Sequence, residues 1–210
     1  MRKIIIDDNI RNFANKYFQE MQANCTNVIQ DLEELRDNVI NLNPMIDKQI
    51  VKDYINKIIS DYPNLLIMEP KDWKLKEYDK ILGVNSDILT TKVIYNTKGK
   101  DPAGNPKKYL SAQLYERIMF CLRYDKARII LGEIHQRMGL KACIYCNTQP
   151  TRSANGEVFY EMDHLKPQSL YPFLGTCFYN LQPSDSSCNK RKSITTCDFQ
   201  LYVNKINEEL

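Results

Sequence analysis

The segment from Cys143 to Lys192 constrains this chain more than any other. It carries a Cys-x-x-Cys pair (Cys143, Cys146), then Asp163-His164, then Asn180-Leu181, then Cys188-Asn189-x-x-Lys192. Thiolates, a carboxylate, an imidazole, a carboxamide and a basic tail follow one another in a short span. Soft sulfur ligands suit zinc, whereas oxygen ligands suit a hard divalent cation. The segment therefore predicts a fold in which distant side chains converge on metal.

Cysteine usage supports that expectation. The chain holds seven cysteines, an odd number that argues against a complete disulfide framework. In a reducing compartment such a cluster reads as metal binding before it reads as disulfide. Met1-Arg2-Lys3 leads into only three isoleucines before Asp7-Asp8, and no long apolar run follows, so neither a signal peptide nor a membrane span is expected. The expected compartment is the cytoplasm. Net charge is only +3 over 210 residues, so there is no global electrostatic footprint for nucleic acid. Positive charge is local instead, at Lys190, Arg191 and Lys192 and in a second segment holding Lys92, Lys98, Lys100, Lys107 and Lys108. The second of these reads as solvated surface.

Apolar periodicity organises the rest. Ile10, Phe13, Ala14, Tyr17, Phe18 and Met21 form a helical stripe that Cys25, Val28, Leu32, Leu35 and Val39 extend towards Asn43-Pro44. A second helix is expected with Ile46, Ile50, Tyr54, Ile55 and Ile58 on one face, ending before Tyr62-Pro63. A third, shorter one runs from Pro70 to a stop at Gly83. Residues 84–108 lose periodicity, and their Asn, Gly and Pro predict a loop or hairpin and the best internal boundary. Leu110, Leu114, Ile118, Cys121 and Leu122 then outline another helix, and Ala127, Ile130, Ile134 and Met138 one more, terminated by Gly139. Cys25 and Cys121 are expected as buried thiols, and His135 as a surface or interface residue. Three parts follow: residues 1–108 as a helical region open to partner docking, residues 109–142 as helices packing on a core, and residues 143–210 as a small metal domain.

Within that last part, Cys143-Ile144-Tyr145-Cys146 has the spacing of a zinc knuckle, and no βαβ pattern surrounds it to favour redox use. Cys188 is the third ligand. A second Cys-x-x-Cys would need cysteine at 185, where this chain has Asp185, so that carboxylate is a fourth candidate with Cys177 and Cys197 as rivals. Glu157 to Met162 alternates apolar and acidic residues like a strand with one wet face, and it delivers Asp163-His164 at its end. Asp163 and Asn189 offer oxygen to magnesium or manganese, while His164 stays unligated and neutral, ready to take a proton from water. Asn180 is expected to bond loop backbone and so hold His164, although a plain turn asparagine fits equally well. Ser184-Asp185-Ser186-Ser187 is rich in helix-capping residues and predicts a helix carrying Asn189, with Lys190, Arg191 and Lys192 turned to phosphates.

These residues resemble the HNH endonucleases, the ββα-metal nucleases. The likeness rests on His164 of Asp163-His164, on Asn180 of Asn180-Leu181, and on Asn189 in Cys188-Asn189-x-x-Lys192. It covers about the last third of the chain. It implies His164 as general base, Asp163 and Asn189 as ligands of a catalytic divalent ion, and Asn180 as the orienting residue. The zinc-stapled branch of that family carries two Cys-x-x-Cys pairs, of which Asp185 breaks the second. The resemblance also implies a fold that is α+β and mainly helical, with a small ββα-metal domain and zinc knuckle after the helical region. The run from Ser169 to Leu174, leading to Asn180-Leu181-Gln182-Pro183, looks like members linked to bacterial anti-phage defence. Septu-type systems there pair such a nuclease with an ATPase, which would dock on the N-terminal helices.

The function that follows is metal-dependent cleavage of DNA, an antiviral nuclease using Mg2+ or Mn2+ for catalysis and Zn2+ for structure. Two rivals remain at this stage. One is a non-catalytic zinc-binding module that grips nucleic acid or protein, which near-zero net charge over residues 139–210 favours. The other is a ribonuclease using the same site.

Overall fold

The computed structural model describes residues 3–38, 46–83, 86–95, 110–154, 156–192 and 201–204. Helix α1 (Asp8–Asn24) is started by Asp7, whose carboxylate accepts the Ile10 amide at 2.9 Å. It buries Ile10, Ala14, Tyr17 and Met21, the expected stripe. The stripe does not run on as one helix. Cys25 leaves helical geometry, Thr26 and Asn27 bond each other's side chains, and α2 (Val28–Asp37) starts afresh. Thr and Asn offer the backbone local partners that compete with helical bonds, which periodicity alone does not report. The expected stop near Asn43-Pro44 lies outside the described residues.

Helix α3 (Lys48–Asp61) is capped by Asp47 and ends where Tyr62-Pro63 begins. The third expected helix is shorter than drawn. Pro70–Asp72 forms a 3-10 turn, and only Leu75–Leu82 is α-helical (α4), closed by Gly83 at φ 64°. That left-handed conformation is open to glycine without a Cβ clash. In the aperiodic region β2 (Lys92–Tyr95) pairs antiparallel with β3 (Leu110–Gln113), so the hairpin reading holds for its described arms. Consequently α5 (Leu114–Cys121) begins four residues later than its apolar pattern suggested. Helix α6 (Tyr124–Arg137) follows, and Gly139 takes φ 75° beyond its end as expected.

The C-terminal third is built from short strands. Two of them, β4 (Ser153–Ala154) and β5 (Glu157–Val158), form a small antiparallel pair. Strand β6 (Glu161–His164) pairs antiparallel with β7 (Leu181–Ser184), and α7 (Ser186–Lys192) follows directly. The expected strand over 157–164 is thus two strands, and Asp163 and His164 belong to the second. The tail is extended where described: β8 (Tyr202–Val203) lies parallel to β1 (Ile4–Ile5).

One hydrophobic core runs through all of this, from Ile6 to Tyr202. Tyr17 of α1 donates to the Thr176 carbonyl at 2.7 Å, buried, and Tyr78 of α4 stacks on Phe173 with centroids 3.6 Å apart. The N-terminal helices therefore share their core with the cysteine-bearing third. Among the described residues no helix is long and apolar enough to cross a membrane. The architecture is mixed α/β, mainly helical with four two-stranded sheets among the described residues.

Candidate metal centre and adjoining cavity

A tight turn presents the first two thiols. Asn147 donates its amide to the Cys143 carbonyl at 2.9 Å and adopts φ 59°, a left-handed conformation that asparagine tolerates better than most residues. The Cys143 amide bonds the Gln149 carbonyl, and the Ile144 amide reaches Pro183 of β7. The turn is thereby fixed beside the start of α7, which brings Cys188. The sulfurs of Cys143, Cys146 and Cys188 lie within 4.8 Å of one another. A metal such as zinc could be held there. The Cys146 thiol is pulled down to about 6 by hydrogen bonds from the Thr148 side chain and the Gln149 and Thr148 amides, so it is readily a thiolate. Cys188 is pushed up to about 11 by burial and by the neighbouring sulfurs. Three sulfurs this close repel as thiolates and favour a cation between them.

Asp185 is not part of that group. Its carboxylate accepts the Ser187 hydroxyl and the Ser187 amide, the latter at 2.9 Å, and so caps α7. This corrects its assignment as a zinc ligand: the same acid that signalled a helix start is occupied by it. Cys177 is corrected too. It is buried in the core with its thiol on the Met68 carbonyl, and burial pushes it up to about 12. Cys197 lies outside the described residues.

Asp163 is enclosed. One oxygen accepts Lys192 Nζ at 2.9 Å, and the other accepts the Tyr145 hydroxyl and, at 3.0 Å, Gln182 Nε2. Gln182 is its partner across the β6–β7 register, so the contact follows from the pairing itself. Lys192 also donates to the His164 carbonyl at 2.6 Å, and the lysine and aspartate side chains are only 5% and 4% exposed. Lys192 as a phosphate contact is therefore a correction. It is a buried counter-ion of Asp163, reached because the last turn of α7 lies over β6, while Lys190 and Arg191 stay exposed.

His164, next along β6, is 7% exposed. Its Nε2 lies 3.0 Å from the Gly175 carbonyl. A carbonyl only accepts, so Nε2 carries the proton and Nδ1 is the basic nitrogen. Burial holds the ring down to about 4, hence neutral near pH 7. The Tyr124 ring lies beside it, centroids 5.0 Å apart. Gly175 must be glycine, since a Cβ there would stand 2.0 Å from Met119 Sδ and 2.9 Å from the Pro172 carbonyl. Asn180 is fully buried and accepts the Lys166 amide at 2.7 Å while donating to the Lys166 and Leu174 carbonyls. It thus bonds loop backbone, as expected, in the segment that leads to Gly175.

A cavity of about 550 Å³ borders His164, Asp163 and Asn189 together with Glu161, Tyr124 and Arg128. Asn189 does not bond Asp163. Its carboxamide nitrogen donates to the Glu161 carboxylate at 2.7 Å, which brings this acid to the cavity wall. Glu161 is a site residue that the sequence motifs do not single out. The signal was available: on a strand, residues two apart share a face. Arg128 was missed as well. It donates to the Val158 and Tyr160 carbonyls and brings a cation to the cavity wall. His135, expected at the surface, is fully buried with Nδ1 3.4 Å from the Tyr160 hydroxyl, because α6 is packed on two sides by α1 and by the β4–β5 pair. No known protein family, curated protein or solved structure matches the chain.

Proposed function

We propose that this chain is a metal-dependent nuclease of HNH type that hydrolyses phosphodiester bonds in DNA. The observation that carries the reading is the meeting of a neutral, carbonyl-anchored His164 and Asn189 on one cavity, at a strand pair followed by a helix and pinned by three converging cysteines. His164 Nδ1 would take the proton of the attacking water, with Gly175 and Asn180 fixing the ring. Arg128 and the exposed Lys190 and Arg191 would meet phosphates.

The donors at the cavity are a carboxylate and a carboxamide in contact, Glu161 and Asn189, which suit a hard cation. Mg2+ or Mn2+ held there would polarise the phosphate and stabilise the leaving 3′ oxygen. Asp163 fits that role less well than the family resemblance implies, because Lys192 already neutralises it. A structural Zn2+ on Cys143, Cys146 and Cys188 would take its fourth ligand from water or from a residue outside this group. Regulation by an ATPase, and a place in anti-phage defence, rest on the resemblance alone.

A second reading draws on that same buried ion pair. A non-catalytic zinc-binding module would have every reason to satisfy Asp163 internally. The discriminating measurement is nicking of plasmid DNA with Mg2+ or Mn2+, alongside matched RNA, for the parent protein and His164→Ala. Loss of about 100-fold or more in the variant is expected, the usual contribution of a positioned general base. Equal rates in both proteins, or none in either, would leave the non-catalytic module standing. Cleavage of RNA alone would assign the site to ribonuclease action.

A further inference from the structure

The cavity beside His164 does not end at that residue. A second hollow of about 470 Å³ continues from it between α5 and α6, and Tyr115, Tyr124, Asp125 and Gln168 line both. Its outer wall is Phe120, 52% exposed on a helix whose other large apolar residues are buried or half-buried. The guanidinium carbon of Arg123 stands 5.7 Å from the Phe120 ring centroid. Arg123 itself adopts φ 61°, a left-handed conformation that an arginine rarely takes, and it forms an ion pair with Asp31. Aromatic side chains thus line the way from the exposed Phe120 past Tyr115 and Tyr124 to the His164 ring, with Arg123 and Lys126 beside them. Of the two acids on this wall, Glu116 is engaged by the Gln113 amide and Asp125 sits in the first turn of α6, where free helix amides offset its charge.

From this we infer that the groove between α5 and α6 is a stacking site for unpaired bases, so that the strand presented to His164 is single-stranded or locally melted DNA. The inference rests on the nuclease reading and deepens it. Paired bases have both faces covered by their neighbours, so a duplex offers nothing for Phe120 and Tyr115 to stack on. A single strand offers a π-face at every nucleotide, and aromatic side chains beside cations are the usual means of holding one without reading its sequence. The continuity of the two hollows places such a base next to the phosphate that His164 would address.

The test separates binding from cleavage. In a His164→Ala protein, fluorescence anisotropy with a labelled oligothymidylate of about a dozen nucleotides should show tighter binding than with a duplex of the same length. Adding Phe120→Ala should weaken the single-strand affinity about tenfold and erase the preference, with unchanged circular dichroism and melting. Phe120→Trp should retain affinity, and its emission, resolved against the chain's one native tryptophan, Trp73, should be quenched when the oligonucleotide binds. Equal affinity for both nucleic acids, or no effect of Phe120→Ala, overturns the inference even if the parent protein cuts DNA. Sedimentation showing a dimer that Phe120→Ala dissolves, without oligonucleotide binding, overturns it in favour of self-association. Quenching and preference without cleavage in the parent protein would uphold the groove and defeat the nuclease reading alone.

Discussion

The sulfur cluster and the Asp163 network are neighbours joined through one residue, Tyr145, yet they stand in opposite electrostatic conditions. Tyr145 lies between Cys143 and Cys146 in the knuckle and donates its hydroxyl to Asp163. Around Asp163 every demand is met from within: a lysine ammonium, a phenol and a carboxamide supply donors to both carboxylate oxygens. Around the three sulfurs hydrogen bonds and burial act without a side-chain cation among the described residues, and the thiols are driven apart in acidity, Cys146 to about 6 and Cys188 to about 11. A buried anion with its own counter-ion is a finished structure, whereas a set of converging thiols is a site for something else. The difference teaches which group should respond to added metal.

The largest effect should therefore come from the sulfurs. Metal analysis of the purified chain is expected to find about one tightly held zinc, and Cys143→Ser to abolish it. Because the knuckle is tied to β7 through Ile144 and to Asp163 through Tyr145, losing the zinc should unfold the β6–β7–α7 unit together with the cavity beside it. Hydrogen exchange would detect that as lost protection across β6 and β7. A chain that holds no zinc and keeps full protection would erase the contrast between the two regions.

Next in size is the ion pair. Lys192→Met removes the cation from a carboxylate that is only 4% exposed, and breaking one side of a buried pair typically costs about 3 to 5 kcal/mol. The two hydrogen bonds that remain from Tyr145 and Gln182 favour the lower end of that range. Asp163→Asn in the same protein should recover much of the loss, since both charges are then gone. Urea denaturation of the single and double variants checks this. An additive double variant would mean the two groups are not coupled.

How much of this was legible in the sequence depends on what kind of signal each part leaves. Helices α1, α3 and α6 announce themselves through apolar spacing and end signals such as Gly139, and the helix at Ser186 through its capping residues. Cys143 and Cys146 were paired by ligand spacing, and Cys188 joins them as the expected third member. What did not follow was the wiring of polar groups. Lys192 looks like any lysine in a basic run until the turn of α7 and the register of β6 bring it over Asp163. Asp185 satisfies two patterns at once, helix cap and fourth ligand, and composition does not say which wins. His135 sat in a polar-looking stretch and is buried because α6 is packed on two sides.

That buried histidine makes a smaller, separable prediction. Desolvation holds His135 down to about 3 in the folded chain, against about 6.5 for an ordinary histidine. The unfolded chain thus takes up the proton first as pH falls. Stability is complete above about pH 6.5 and declines from there towards pH 3, by up to about 1.4 kcal/mol per unit for the one proton involved. His164, held down to about 4 by burial, adds a slope of the same sign. His135→Gln should remove its share, leaving a shallower acid limb in thermal or urea unfolding. An unchanged limb would show that His135 is already protonatable in the fold.

The smallest effect bears most directly on the comparison. Asp185 stands at the position where a second Cys-x-x-Cys would begin, and its carboxylate caps α7 through the Ser187 amide and hydroxyl. Asp185→Ala should lower the melting temperature by about 2 to 4 °C, as loss of one helix cap does in a chain of this size, with zinc content unchanged. If Asp185 instead ligates zinc in solution, the same variant would lower zinc affinity, which competition with a chromophoric chelator measures. Asp185→Cys sharpens the point from the other side. A thiolate at the cap position would complete a four-sulfur shell, so zinc should be held more tightly than in the parent even as the cap weakens. Tighter zinc with a lower metal-free melting temperature would show that the chain trades a ligand for a helix start at this one residue.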